Sequence, residues 1–455
     1  MLQATSSTCV EERVAQTVEL WRECAAPSVP AAARYSLADQ QMREAASDRC
    51  ISDIERQVRK APRGTAGRIA MQQQATATFA RFAASALDLE PAAIALITDD
   101  FLPLGAEFAR SARRFESSLP KADAALSMVD TALSLADTAL SMADIVQACR
   151  NAWTACGLQP LLGERMALTP SILGYSLLYP YSDNYLDQVG VSTEAKLRFS
   201  ERFRNRLRGD ESSPESDRET AIWAAVALIE QQYPRAAFPE VFDSLLAIHQ
   251  AQEESIAQLC GDQRCNDAEI LRISCAKGGT SVLANACLSR GWVDEQEEIL
   301  SFEMGTLLQL GDDLQDLRDD LKRGSATLFT AAARRGMTLD SLVAQLLNLH
   351  ERVALRMDSL PHGSPTLKRL LRMSWRSLIL GAVAQSHEFF SPEFLRELEA
   401  TSPLRFAFLR DRGKRLASRK GLYQTLFDAF LEAPEAPTIR TPVPVARRLL
   451  YGISQ

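Results

Sequence analysis

Phe302-Glu-Met-Gly-Thr-Leu-Leu-Gln-Leu-Gly-Asp-Asp-Leu-Gln-Asp-Leu-Arg-Asp-Asp-Leu-Lys-Arg-Gly324 is the stretch that decides the reading of this 455-residue chain. It holds Asp312, Asp313, Asp316, Asp319 and Asp320 within nine residues. A helix advances about 100° per residue, which puts them at about 0°, 100°, 40°, 340° and 80°. All of them share one arc of about 120°. Leu310, Leu314, Leu317 and Leu321 fall at about 140–200° and make the adjoining packed face. Asp is a mediocre helix former, and like charges one turn apart cost about 0.2–0.5 kcal/mol per pair. A helix that only has to fold gains nothing from stacking them. A divalent cation reverses the sign of that term. Mg2+ accepts few protein carboxylates and completes its octahedron with water and phosphate oxygens.

A solvated acidic face is the plain alternative. Against it, the same arc continues upstream into Phe302, Gly305, Leu308 and Gln309, at about 80°, 20°, 320° and 60°. Apolar side chains, a bare glycine and an acidic rim describe the wall of a cavity. Arg323 falls within the acidic arc, where a phosphate would lie. Arg318 and Lys322 fall outside it.

Metal ions held between helices need ligands from a second helix. Tyr175-Ser-Leu-Leu-Tyr-Pro-Tyr-Ser-Asp-Asn-Tyr-Leu-Asp187 offers Asp183 and Asp187 as an i,i+4 pair. Tyr175, Tyr179, Tyr181 and Tyr185 cluster there, although the whole chain has only 8 Tyr. Aromatic faces stabilise a cation through their quadrupole. The plain reading is core filling beside a solvent-facing Asp pair. Lys277-Gly278-Gly279 sits in a helical stretch, Ile270–Leu288, where each glycine costs about 1 kcal/mol. Either the glycines permit close helix packing, or they break the helix and leave free backbone groups beside a lysine.

The rest of the chain sets the frame. Hydrophobic residues make up 46% and charged residues 24%, a globular mix that excludes wholesale disorder. The net charge of −7 argues against a nucleic-acid binder relying on a positive field. Ala, Leu, Arg, Glu and Gln fill long stretches, and no alternating strand pattern or Asn-Gly hairpin signal appears. An all-α fold is expected. Breaks are expected at Ala61–Gly64, Gly209–Pro214, Tyr233-Pro234, Pro361–Pro365 and Glu432–Pro437. The four His include no HExxH, and the nine Cys show no zinc spacing. Reduced thiols suit a cytoplasmic protein, and neither a signal peptide nor a membrane span is visible. A seven-residue unit repeats at Ala125–Thr131, Ala132–Thr138 and Ala139–Ile145. It reads as a tandem duplication lengthening one packed helix, or as a short coiled coil. A late basic stretch, Arg405 to Lys420, reads as a solvated helix, with a lid or a patch for anionic lipid as alternatives.

The two aspartate motifs resemble those of the class I isoprenoid synthase superfamily. Asp316, Asp319, Asp320, Gly324 and Leu328 match the D-x-x-(E/D)-D-x-x-x-G-R-x-Y-L-P segment of squalene and phytoene synthases. Ser325, Thr327 and Phe329 stand where that family has Arg, Tyr and Pro. Gly305, Gln309, Asp312, Asp313 and Asp316 match the G-x-x-F-Q-x-x-D-D-x-x-D of trans-prenyl diphosphate synthases, with Leu308 for Phe. Asp183-Asn-Tyr-Leu-Asp187 is similar to the first aspartate motif of phytoene synthases and of bacterial large-terpene synthases. The resemblance covers roughly residues 150–345.

That resemblance implies a class I terpenoid synthase-like helical bundle around a central apolar cavity. It implies ionisation of an allylic prenyl diphosphate to a terpene hydrocarbon or alcohol, with release of pyrophosphate. Two to three Mg2+ ions, with Mn2+ as substitute, would be held by Asp183, Asp187, Asp312, Asp313, Asp316 and Asp320. Lys277 and Arg323, with Arg318 ranked below them, would bind diphosphate. Tyr175, Tyr179, Phe302, Leu308 and Gln309 would line the substrate cavity. The expected organisation is an N-terminal helical region over 1–120, a heptad helix over 121–148 and a catalytic domain over 149–455. No nucleic-acid partner is expected; peripheral membrane contact and a homodimer are open. A prenyl transferase of the same superfamily and a non-catalytic helical interaction protein are the alternatives.

Overall fold

The computed structural model describes residues 7–25, 28–61, 64–120, 140–186, 191–255 and 266–431, apart from a few side chains, Tyr179 and Asp183 among them. Every regular element among the described residues is helical. In chain order these are α1 (Ser7–Glu23), α2 (Leu37–Lys60), α3 (Thr65–Ala86) and α4 (Pro91–Ala95), which runs through a π turn (Leu96–Phe101) into α5 (Leu102–Ser118). Then come α6 (Met142–Leu161), α7 (Pro170–Leu186), α8 (Thr193–Arg208), α9 (Asp217–Gln232) and α10 (Pro239–Ser255). The central pair is α11 (Asp267–Arg290) and α12 (Glu295–Gln315), followed by the short α13 (Leu317–Arg323) and α14 (Leu328–Arg334). The chain continues through α15 (Asp340–Ser359), α16 (Pro365–Gln385), α17 (Pro392–Glu399), α18 (Phe406–Ser418) and α19 (Lys420–Leu431).

Helix starts follow short polar side chains. Ser36, Ser192, Ser216, Asn266, Asp294, Ser364 and Ser391 each accept a bond from a backbone N–H of the first turn, which satisfies a donor that has no partner within the helix. The expected breaks at 61–64, 209–214, 233–234 and 361–365 fall between helices, and 432–437 lies outside the described residues.

One buried core runs through most of the chain, from Val14 and Trp21 in α1 to Phe406 in α18. At its centre α11 touches α1, α6, α7, α10 and α12. Helices of the N-terminal region pack in two places. Helix α1 packs on α11, α12 and α15, whereas α2, α3 and α19 share a separate small cluster of Val58, Met71 and Ala429. The boundary expected between 148 and 149 falls inside α6.

Three further expectations change. Residues 121–139 of the heptad region lie outside the described residues, and its third copy does not continue a helix but begins one. Ser141 accepts from the Asp144 N–H while Asp144 accepts from the Ser141 N–H, a capping box that starts α6. The basic stretch is not a solvated helix. Arg405 bonds Glu44 at 2.9 Å, Arg415 bonds Asp48 at 2.9 Å and Arg419 bonds Glu55, so α18 and α19 are strapped to the acidic flank of α2. Lys277-Gly-Gly does not break a helix, because α11 is continuous from Asp267 to Arg290. No described helix is long and apolar enough to cross a membrane.

The glycines of α11 instead bring two backbones together. A β-carbon at Gly278 would run into the Gly305 carbonyl of α12, and one at Gly305 would run into the carbonyl of Gly278. A β-carbon at Gly279 would strike the ring of Phe302, which is fully buried over it. Gly278→Ala is therefore expected to destabilise the protein by about 3 kcal/mol, through overpacking against rigid backbone. Gly311→Ala, at a helical glycine with nothing within 4 Å, should stabilise it by up to about 1 kcal/mol. Chemical denaturation of the two variants beside wild type checks both signs.

Candidate active site

The close approach of α11 and α12 fixes which residues face each other at their far end. Ser274 Oγ of α11 donates to Asp313 at 3.1 Å, and Gln309 Nε2 donates to its other oxygen at 2.8 Å. Asp313 is buried, and loss of water pushes its pKa up to about 7 against those two hydrogen bonds. Both oxygens are thus engaged, one by Ser274 across to α11 and the other by Gln309 one turn back on α12. Asp313, expected among the metal ligands, stands behind the site rather than at its face, and Gln309 serves it rather than lining a cavity.

The other acids stand in front. Asp312 keeps part of its side chain in contact with solvent and pairs with Arg150 of α6 at 3.2 Å. Burial raises its pKa; Asp316 raises it further, and Arg150 and Lys277 oppose the rise. Asp316 and Asp320 are also raised, chiefly by burial and also by a neighbouring carboxylate, against the fields of Arg150 and Arg323 at Asp316 and of Arg323 and Lys277 at Asp320. Lys277 of α11 therefore acts on Asp312, Asp313 and Asp320 together. The row does not lie on one unbroken helix: α12 ends at Gln315, Asp316 forms the joint and α13 restarts at Leu317. Hydrogen bonds from the Asp316 N–H to Asp312 and from the Asp320 N–H to Asp316, at 2.8 and 2.9 Å, keep the i, i+4, i+8 row in register across that joint.

Some expected residues are placed elsewhere. Asp319 is exposed and pairs with Lys322 at 2.8 Å. Arg318 turns outward to a two-bond pair with Glu388, at 2.8 and 2.7 Å, away from the row. Phe302 fills the space over Gly279 instead of bounding a cavity. Tyr175 is buried and donates to the Ser281 carbonyl at 3.2 Å, and Leu308 is half-buried against the core. A groove of about 760 Å³ lies elsewhere, between α1, α10 and the first half of α11. Among the described residues, no three or more His, Cys, Asp or Glu side chains are gathered so that they could hold a metal ion.

The α7 motif approaches the same end. Helix α7 runs antiparallel to α11: Ser171 Oγ bonds Leu288, and Tyr175 bonds Ser281. One and two turns further along, positions 179 and 183 come to about the level of Lys277 and Ile273. Asp187 lies outside the described residues. Asn184 Nδ2 donates to Asp144 of α6 at 3.0 Å. Helix α6 thus touches both motifs. Asp144 meets the α7 end, and Arg150, about 9 Å further along the helix, meets the acidic row.

Neither Asp144 nor Arg150 stood out in the sequence. A signal was present for each, since Arg150 is the only Lys or Arg in α6 and Ser141-x-x-Asp144 is a capping pattern. Ser274 carries no such signal. No protein-family model and no curated protein matches the chain.

Asp313 gives the site a pH signature. Its raised pKa means the folded protein binds a proton that the unfolded chain releases near 3.8. Its burial therefore costs nothing below the unfolded value and progressively more as pH rises to about 7. Asp313→Asn should melt higher than wild type at about pH 8 and lose that advantage at about pH 4. Melting curves across that range check it; parallel pH profiles would reject the assignment.

Proposed function

We propose that the chain is a Mg2+-dependent class I terpene synthase, with the all-α bundle of that superfamily, which ionises an allylic prenyl diphosphate. The observation that carries this reading is the meeting of two acidic motifs on one helix: α6 contacts the end of α7 through Asp144 and the α12–α13 row through Arg150. The donor chemistry fits the metal. Asp312, Asp316 and Asp320 are hard oxygen ligands, raised in pKa by burial and carboxylate neighbours, and a divalent cation relieves that repulsion. These three do not make a metal centre by themselves; they would hold the ion together with the α7 motif that begins at Asp183 and with the diphosphate. Bound Mg2+ supplies electrostatic stabilisation of the charge that grows on the departing diphosphate.

The chain's own residues do the rest. Lys277 and Arg323 carry positive charge beside the row and would hold diphosphate oxygens, and Arg150 joins them from α6. When the allylic C–O bond breaks, its electron pair leaves with the diphosphate and the positive charge stays on the carbon chain. The apolar interior of the bundle keeps water from that cation until it loses a proton or is captured.

The direct test is pyrophosphate release from geranyl, farnesyl, geranylgeranyl and longer prenyl diphosphates, with Mg2+ and with EDTA, followed by mass spectrometry of the extract. Metal-dependent release with a hydrocarbon or alcohol is expected from one of them. Asp316→Asn should lower that rate by about 10²-fold or more with the helical circular dichroism unchanged. Release only when isopentenyl diphosphate or a second prenyl diphosphate is added would make the chain a transferase. No release from any substrate would overturn the reading in favour of a helical interaction protein.

A further inference from the structure

We propose that Asp144 is a positioning residue for the acidic end of α7, acting through Asn184; the inference rests on reading that end as half of the metal–diphosphate site. One intrahelical bond is missing shortly before the last turn of α7. Pro180 lies inside α7 and has no N–H to give the carbonyl of Ser176. Contacts from outside the helix add to the bonds that remain in fixing the direction of residues 183–186.

Two adjacent side chains provide that hold, in different directions. Asn184 donates to Asp144 Oδ1 at 3.0 Å. Tyr185 stacks edge-on against Phe199 with ring centroids 5.0 Å apart, and the Arg218 guanidinium lies 4.2 Å from its ring centre. Neighbouring residues on a helix point about 100° apart, so pinning both leaves one rotation for the turn that contains position 183.

Asp144 is suited to be the fixed partner because its carboxylate cannot swing. Its Oδ2 accepts the Ser141 N–H at 2.9 Å, and its own N–H bonds Ser141 Oγ at 3.2 Å. Turning Oδ1 away from Asn184 would break the cap that starts α6. The same helix carries Arg150 to Asp312. The cap of α6 thereby sets the relation between the two acidic motifs, and Asn184 is the link on the α7 side. Partners of this kind, one step removed from a metal, typically govern about 10–100-fold in metal affinity.

The test uses the full-length protein, Mn2+ as the probe ion and inorganic pyrophosphate, with bound Mn2+ counted by electron paramagnetic resonance. Asn184→Ala and Asp144→Ala should each weaken Mn2+ binding by about 10-fold or more, and the double variant should be no weaker than the weaker single one. Ser141→Ala removes the cap hydroxyl but leaves the Asp144–Asn184 bond. It should lower the melting temperature while keeping wild-type Mn2+ affinity. Should Asn184→Ala fail to fold, Asn184→Asp keeps the shape, turns the bond into a repulsion and should show the same loss. Wild-type affinity in the Asn184 variants would overturn the positioning role and leave the site reading intact. An equal loss in Ser141→Ala would reduce the effect to helix stability and overturn it too. No Mn2+ binding by wild type would overturn both.

Discussion

Two glycines in contact across α11 and α12 are the constraint on which the rest of the molecule depends. With no side chain at Gly278 or Gly305, the helices approach until backbone meets backbone. Phe302 then seals the next turn over Gly279. Because that contact leaves no room to slide, the register beyond it is fixed. Ser274 meets Asp313, and the aspartates at 312, 316 and 320 come to lie beside Lys277. A looser pair of helices, separated by ordinary side chains, would let the acidic end drift by a residue or more, and the charges that now oppose each other would no longer do so.

The electrostatics follow from that geometry. One carboxylate, Asp313, is buried as a structural tie, and loss of water pushes its pKa up to about 7. The three in front remain closer to water and share three cations, Lys277, Arg150 and Arg323, that reach them from different elements. The division is set by which way each residue faces. Asp313 stands about 100° from Asp312 and falls on the α11 side, whereas Asp319 falls on the solvent side and takes Lys322.

Much of this was legible in the sequence where a local rule governs. The lack of strands among the described residues, the breaks at Pro and Gly, and the common face of Asp312, Asp316 and Asp320 all follow from periodicity and propensity. The outward turn of Arg318 also followed from its angle on the wheel, although it was still ranked as a substrate contact. What periodicity cannot supply is the partner. Whether glycines at 278 and 279 break a helix or let another one in depends on what lies across from them, and Gly305 is distant in the chain. Arg405, Arg415 and Arg419 looked solvated because their acidic partners, Glu44, Asp48 and Glu55, come from more than 350 residues earlier. Phe302 was assigned to a cavity wall from its angle alone, whereas the space it faces is already filled by its own ring against Gly279.

The start of α6 has a meaning for how this chain tolerates change. Leu140 N–H donates to Glu116 at 2.8 Å, so the end of α5 and the beginning of α6 are tied at the two roots of the repeat. Each copy of the repeat carries the same Ser-x-x-Asp, at 127–130, 134–137 and 141–144, and the third copy supplies the cap. The units differ between the serine and the aspartate, but every one of them keeps the two side chains that a capping box of this kind needs. The capping pattern is therefore written three times in the sequence, while the helix that touches both acidic motifs takes its first residue, its phase and its distance from them from the third copy.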